Sequence, residues 1–250
     1  MRRLVRLLQI AYAVAAYALF LATMLATIAF VLDLGLPWSV DAPAVGSAAA
    51  AIVVDLALVL VFGLQHSAMA RPGFKRAWTR VVPAPVERAT YVLASSLALA
   101  LLIVAWRPLP GVLWDARGTP VGAVLLAAGA GGWLLLVAAS FLVSHWELFG
   151  LVQAWRGLGG VDARAAGAMP ELSERGLYGV VRHPIMLGFL VAFWCAPRMS
   201  TGHLLFAGAC SAYILVGTRL EERDLLAHFG AAYARYRERV PMLLPRPWRR

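Results

Sequence analysis

Apolar residues in this chain are gathered into long blocks, and polar residues are confined to the gaps between them. Runs near 7–32, 47–69, 87–106 and 119–143 are each long enough to cross about 30 Å of hydrocarbon as a helix. A further apolar region, 184–220, is broken at Ala196-Pro197-Arg198-Met199-Ser200. Its first limb, Ile185 to Cys195, is short for a full crossing, while its second, Gly202 to Leu220, is adequate. The pattern predicts a helical hairpin whose first limb is tilted or partly re-entrant, packed against protein or lining a cavity. Beyond Leu220 the chain turns polar, yet Leu225, Leu226, Phe229, Tyr233 and Tyr236 recur at helical spacing. That spacing predicts an amphipathic helix continuing from the last span and stopped by Pro241 and Pro245. The fold class is therefore all-α: a polytopic integral membrane bundle of about five transmembrane segments, with a C-terminal hairpin and a cytoplasmic amphipathic helix. Residues 1–250 form a single membrane domain, its N-terminal transmembrane helices lying in 1–143.

Composition agrees with the pattern. Hydrophobic residues make up 61% and charged residues 14% of 250 positions, against about 45–50% and about 25% in soluble domains. The first apolar run is longer than a secretory core of about 7–15 residues and lacks a small-residue cleavage site before Asp33, so it is expected to remain as the first span. A net charge of +10 would suggest nucleic acid in a soluble protein, but topology accounts for it here. With loops assigned to alternate sides, twenty of the 23 Lys and Arg fall together, and only Arg107, Arg117 and Arg198 fall opposite. The positive-inside rule makes the richer side cytoplasmic, together with both chain ends. Lipid is thus an expected partner, nucleic acid is not, and nothing calls for an obligatory protein partner. Cys195 and Cys210 lie in apolar stretches and read as packing residues. The segment Arg71 to Glu87 mixes bases with Phe74 and Trp78, as an interfacial segment would, and glycine-rich Gly150 to Val181 reads as a flexible or ligand-covering loop.

Polar residues at membrane depth are costly and point to function. Asp55 and His66 stand eleven residues apart on one face of the second span, where helix-packing hydrogen bonds are the alternative. Ser144-His145-Trp146-Glu147 marks the cytoplasmic end of the fourth span and is either a cavity lining or a polar helix end. Leu177 to Pro184 opens the hairpin and Arg219-Leu220-Glu221-Glu222-Arg223-Asp224 closes it, so an antiparallel hairpin brings these ends together. Free N–H groups where Pro184 starts a helix suit a carboxylate, and Glu221 and Glu222 suit an ammonium or ribose hydroxyls. The pair would hold a zwitterion; a snorkelling charged rim is the alternative. Glycines 129, 131 and 132 follow no strand and read as helix-packing positions, and no metal-binding cluster is visible.

Val181-Arg182-His183-Pro184-Ile185-Met186-Leu187-Gly188, with Glu221-Glu222-Arg223-Asp224-Leu225, Phe229-Gly230, Tyr233, Tyr236 and Val240-Pro241, resembles the C-terminal half of the isoprenylcysteine carboxyl methyltransferase and phospholipid methyltransferase superfamily. Ile185 stands where many of its members have tyrosine. His66-Ser67-Ala68-Met69-Ala70-Arg71-Pro72, Glu87-Arg88-Ala89-Thr90-Tyr91 and His145-Trp146-Glu147-Leu148-Phe149-Gly150-Leu151 are similar to segments of the bacterial methanethiol S-methyltransferases within it. The resemblance implies that residues 144–250 bind S-adenosylmethionine, which leaves as S-adenosylhomocysteine. Arg182, His183, Gly188, Glu221 and Glu222 would belong to that site, with Tyr178, Tyr233 and Tyr236 as lid candidates. It also implies a small volatile thiol, methanethiol, as substrate against His66, Arg88, Tyr91, His145 and Glu147, and the bacterial inner membrane as location. His145, oriented by Glu147, or His66 would remove the thiol proton, because the thiolate is the better nucleophile. Rival readings are a methyltransferase for isoprenylcysteine, phospholipid or another lipophilic acceptor, and a proton-coupled transporter using Asp55 and His66.

Overall fold

The computed structural model describes residues 2–44, 46–158 and 172–245. The helices in chain order are α1 (Arg2–Val31), α2 (Ala48–Ala70), α3 (Pro72–Trp78), α4 (Ala84–Ala105), α5 (Pro120–Val143), α6 (His145–Leu148), α7 (Leu151–Leu158), α8 (Pro184–Trp194), α9 (Thr201–Phe229) and α10 (Ala231–Arg239). Five of them, α1, α2, α4, α5 and α9, are long and apolar enough to cross a membrane. The shortest of these has 22 residues, about 33 Å at a rise of about 1.5 Å per residue. Only 22–39% of each apolar window is buried within the protein, and Leu25, Val53, Leu60, Val124 and Leu134 stand largely uncovered. In water that surface would drive association, whereas hydrocarbon covers it at no cost. The chain is a multi-pass helical membrane protein. Its elements gather into two compact units, Met1–Pro108 with Ser144–Met169, and Leu109–Val143 with Pro170–Arg250.

In the first unit small residues set the packing. Ala13 and Ala16 of α1, Ala89 of α4 and Ala154 of α7 form one fully buried cluster. Side chains this short let helix backbones approach and gain dispersion contacts, the main attraction between helices in lipid. Part of the stretch expected to be a loop from Gly150 is therefore helix: Leu151 and Ala154, three residues apart, pack into this cluster. Gly157 lies in α7 and Gly176 and Gly179 bound a short 3-10 turn, while Gly159, Gly160 and Gly167 lie outside the described residues. Helix α2 buries Ala51, Asp55, Val59 and Gly63 at four-residue spacing. Asp55 Oδ1 there accepts a hydrogen bond of 2.9 Å from the backbone N–H of Arg107, tying down the chain where it leaves α4. Asp55→Ala is expected to cost about 1–3 kcal/mol by removing the acceptor of this part-buried bond, while Asp55→Asn keeps an acceptor and most of the stability. Thermal unfolding in detergent checks this, and an alanine variant as stable as the asparagine variant would refute it.

The second unit holds two short strands that apolar patterning did not foresee. Strand β1 (Val112–Asp115) pairs antiparallel with β2 (Arg198–Ser200). The interruption expected between the hairpin limbs is thus a strand with Met199 fully buried. Ser200 then caps α9, its side-chain oxygen accepting from the His203 N–H at 3.0 Å. The first limb, α8, has 11 residues and spans about 16 Å, half a bilayer core. Glycines join it to α5: a Cβ on Gly132 would meet the Ala192 nitrogen at 2.6 Å, and one on Gly188 the Gly132 oxygen at 2.7 Å. The amphipathic helix expected beyond Leu220 divides in two. Helix α9 runs on to Phe229, Gly230 turns the chain with a φ of +54°, and α10 follows.

Candidate functional site

The hairpin brings its two polar ends together, as its antiparallel geometry demands. Glu222 of α9 receives Arg182 through Nε at 2.7 Å and Nη2 at 2.5 Å. His183 Nε2 lies 3.3 Å from the same carboxylate oxygen, and the Tyr233 hydroxyl donates to it at 3.4 Å. The third guanidinium nitrogen, Nη1, donates to the carbonyls of Arg237 and Val240. Backbone bonds from Arg182 to Pro241 and from His183 to Met242 stitch the C-terminal segment onto the start of the hairpin. Tyr236 donates its hydroxyl to the Tyr178 carbonyl at 2.6 Å, and Arg239 pairs with Glu174 at 2.7 Å. Burial raises the phenols of Tyr178, Tyr233 and Tyr236, the last to about 12, so all three are neutral donors near pH 7.

This geometry divides the residues expected to hold a cofactor. Arg182 and Glu222 consume each other, with side chains 8% and 9% exposed, and they build the frame. Glu221 is different. Its side chain is half exposed and its Oε2 stands 3.8 Å from His183 Nδ1, leaving acceptor capacity for an ammonium or a hydroxyl pair. Arg237, 44% exposed and 3.8 Å from the second Glu222 oxygen, offers a guanidinium beside it that sequence reasoning did not single out. The absence of a side chain at Gly188 is accounted for by the α5–α8 crossing.

The first unit carries two histidine clusters. His66 Nε2 lies 2.8 Å from the Tyr91 hydroxyl and Nδ1 lies 3.1 Å from Ser95 Oγ, which Gln65 also approaches. The Arg88 guanidinium sits over the Tyr91 ring, 4.9 Å from its centroid, and donates to the Leu148 carbonyl at 2.7 Å. The chemistry of a cation, a phenol and an imidazole at one place suits an anion. Lys75 on α3 adds charge here; burial, and then Arg88, lower its pKa. His145 forms the second cluster. It is 8% exposed, and its Nε2 lies 2.8 Å from the hydroxyl of Tyr17 on α1. Burial lowers its pKa, so the ring is neutral near pH 7 and able to take a proton. Phe20 and Phe149, stacked at 4.0 Å, pack against the Met69–Tyr91–Val92 cluster on one side and reach the His145 surroundings on the other. The Glu147 carboxylate, expected to orient His145, takes Arg156 at 3.1 Å. Asp55 and His66, invoked for proton coupling, are bonded to separate partners of their own. Among the described residues no group of three or more His, Cys, Asp or Glu could hold a metal ion, and Cys195 and Cys210 are free thiols.

Five apolar helices, with buried charge gathered in a hydrogen-bonded cluster at the ends of the hairpin, define a polytopic membrane protein. No family model and no solved structure matches the chain. Its sequence is 45% identical over 99% of its length to methanethiol S-methyltransferase 1 of Bradyrhizobium diazoefficiens, covering 85% of that protein. It is 48% identical over 98% to the methanethiol S-methyltransferase of Mycobacterium tuberculosis, covering 98% of that protein. More distant similarity, 32% over 68% of the chain and 66% of the relative, extends to Nurim of Homo sapiens. The chain belongs to the methanethiol S-methyltransferase family.

Proposed function

We propose that this protein methylates the sulfur of methanethiol, giving dimethyl sulfide, with S-adenosylmethionine as donor, in the inner membrane of a bacterial cell with both chain ends cytoplasmic. Identity of 45–48% across nearly the full chain to enzymes named for this acceptor carries the reading. Glu221, His183 and Arg237 fit the polar parts of the donor: a half-exposed carboxylate for its ammonium or ribose hydroxyls, and an imidazole and a guanidinium for its carboxylate. Arg182, Glu222 and Tyr233 hold those residues in place. The donor supplies its methyl group as an electrophilic carbon on a sulfonium. The protein's own part is to hold the thiol in line, exclude water and take its proton. An alkanethiol is a weaker acid than cysteine, whose pKa is about 8.5, so a base is required at neutral pH. Neutral, buried His145 is the base. His66, Tyr91 and Arg88 hold the sulfur as negative charge develops on it.

Purified protein given labelled S-adenosylmethionine is expected to convert methanethiol to volatile labelled dimethyl sulfide, with prenylcysteine and phosphatidylethanolamine inert. Label passing to either lipid while methanethiol stays unreacted would overturn the reading.

A further inference from the structure

Nothing in the local sequence marks Tyr17, which lies midway along an apolar helix. In the structure its hydroxyl is bonded to His145 Nε2 at 2.8 Å, and that imidazole is the only polar partner of the Tyr17 oxygen among the described residues. The phenol is half-buried, whereas His145 is 8% exposed. The phenol oxygen thus occupies the hydrogen-bonding position at Nε2. Aromatic rings pack about the imidazole: Phe149 stands 4.8 Å and Trp146 5.2 Å from its centroid. The Tyr17 ring touches it edge-on at 5.8 Å and leans on Phe20 at 6.0 Å. Of the charged groups on the neighbouring elements, Arg88 of α4 donates through Nε to the Leu148 carbonyl and Glu147 of α6 pairs with Arg156 of α7.

Resting on the function proposed above, we propose that Tyr17 is a catalytic residue: its oxygen receives the proton of the acceptor thiol while its own proton passes to Nε2 of His145. The S–H bond breaks and an O–H bond forms on Tyr17; the original Tyr17 O–H bond breaks and an N–H bond forms on His145. The sulfur lone pair makes the new S–CH3 bond, and the electron pair of the broken methyl–sulfonium bond stays with the departing sulfur as a neutral thioether. The imidazolium then returns its proton to water through the same phenol. A phenol alone is a weak base. Coupled to a neutral imidazole it accepts and donates in one motion, which lets a buried histidine serve a substrate it does not touch. Aromatic rings beside the Tyr17–His145 pair suit a small alkanethiol, since sulfur gains favourable contacts at ring edges.

The test compares wild type, Tyr17→Phe and His145→Gln in detergent. Tyr17→Phe keeps the ring contacts, so its melting temperature and its calorimetric affinity for S-adenosylhomocysteine are expected to match wild type. Its kcat at pH 7 is expected to fall about 100-fold, within the usual range for general acid–base groups. The deficit should shrink about tenfold per pH unit as the thiol ionises by itself, a dependence that a packing role does not produce. A Tyr17→Phe enzyme within about threefold of wild type, or one equally impaired at all pH values, overturns the proposal. Nitrogen-15 spectra of His145 give an independent reading: Tyr17→Phe must shift the Nε2 resonance, and an unchanged resonance overturns the relay. Absence of dimethyl sulfide from the wild type would instead overturn the proposed function, and the spectra would still judge the Tyr17–His145 bond.

Discussion

Glu222→Ala is expected to destabilise the solubilised protein by about 3–5 kcal/mol, because it strands the Arg182 guanidinium without its counter-charge at a site where both side chains are more than nine-tenths covered. Three other groups lose their anchor in the same step. His183, Tyr233 and, at longer range, Arg237 all direct a polar atom at this carboxylate. The C-terminal segment should loosen too, since Arg182 also holds the carbonyls of Arg237 and Val240. Loss of S-adenosylhomocysteine binding in this variant would therefore report on the frame and not on ligand contact. Glu221→Ala separates the two. With its carboxylate half exposed and, among the described residues, only the distant His183 ring as an ion-pair partner, its removal should leave the melting temperature unchanged. A charge-assisted bond to a ligand is worth about 1.5–3 kcal/mol, so affinity should fall about 10- to 100-fold. Calorimetry and thermal unfolding on both variants decide the matter. Unaltered affinity in Glu221→Ala would remove Glu221 from the proposed contacts.

Gly132→Ala is the second variant with a large expected effect. In most helices this exchange stabilises, by roughly 0.5–1 kcal/mol. Here the new methyl would lie 2.6 Å from the Ala192 nitrogen and 2.7 Å from the Gly188 oxygen, both backbone atoms of α8. Neither can rotate away, so the helices must separate and lose the contacts that hold them in lipid. The expected outcome is a cost of about 1–3 kcal/mol or more, with little folded protein recovered. Its neighbour makes the control. Gly131 lies on the same helix with nothing within 4 Å of an added Cβ, and Gly131→Ala should be neutral or mildly stabilising. Size-exclusion yield and melting temperature distinguish the pair; equal behaviour would mean that α5 and α8 do not cross as closely as described.

The spans were legible in the sequence because a run of apolar residues has only one use at that length. Ala84–Ala105 shows how close the reading comes: the run was expected from residue 87, and Pro85 joins the first turn, where its missing N–H costs nothing. The meeting of Arg182-His183 with Glu221-Glu222 was also legible, since a hairpin brings its ends together whatever its rotation. The short strand pair was not. Val112 and Leu113 look like part of an apolar flank, and only the β2 backbone opposite them makes a strand.

What the sequence determined by itself was the number of long apolar helices, the hairpin, the juxtaposition of its charged ends, and the close-packing use of Gly132. The tertiary structure alone decided which partner each polar group takes. Glu147 turned to Arg156, and His145 Nε2 met the Tyr17 hydroxyl; Arg182 paired with Glu222, while Glu221 stayed half exposed. The physical reason lies in the solvent. A helix in lipid is apolar on its packed face and on its lipid face alike, so periodicity does not reveal its rotation. Hydrogen-bond partners depend on that rotation, and it is set by the small-residue contacts between helices.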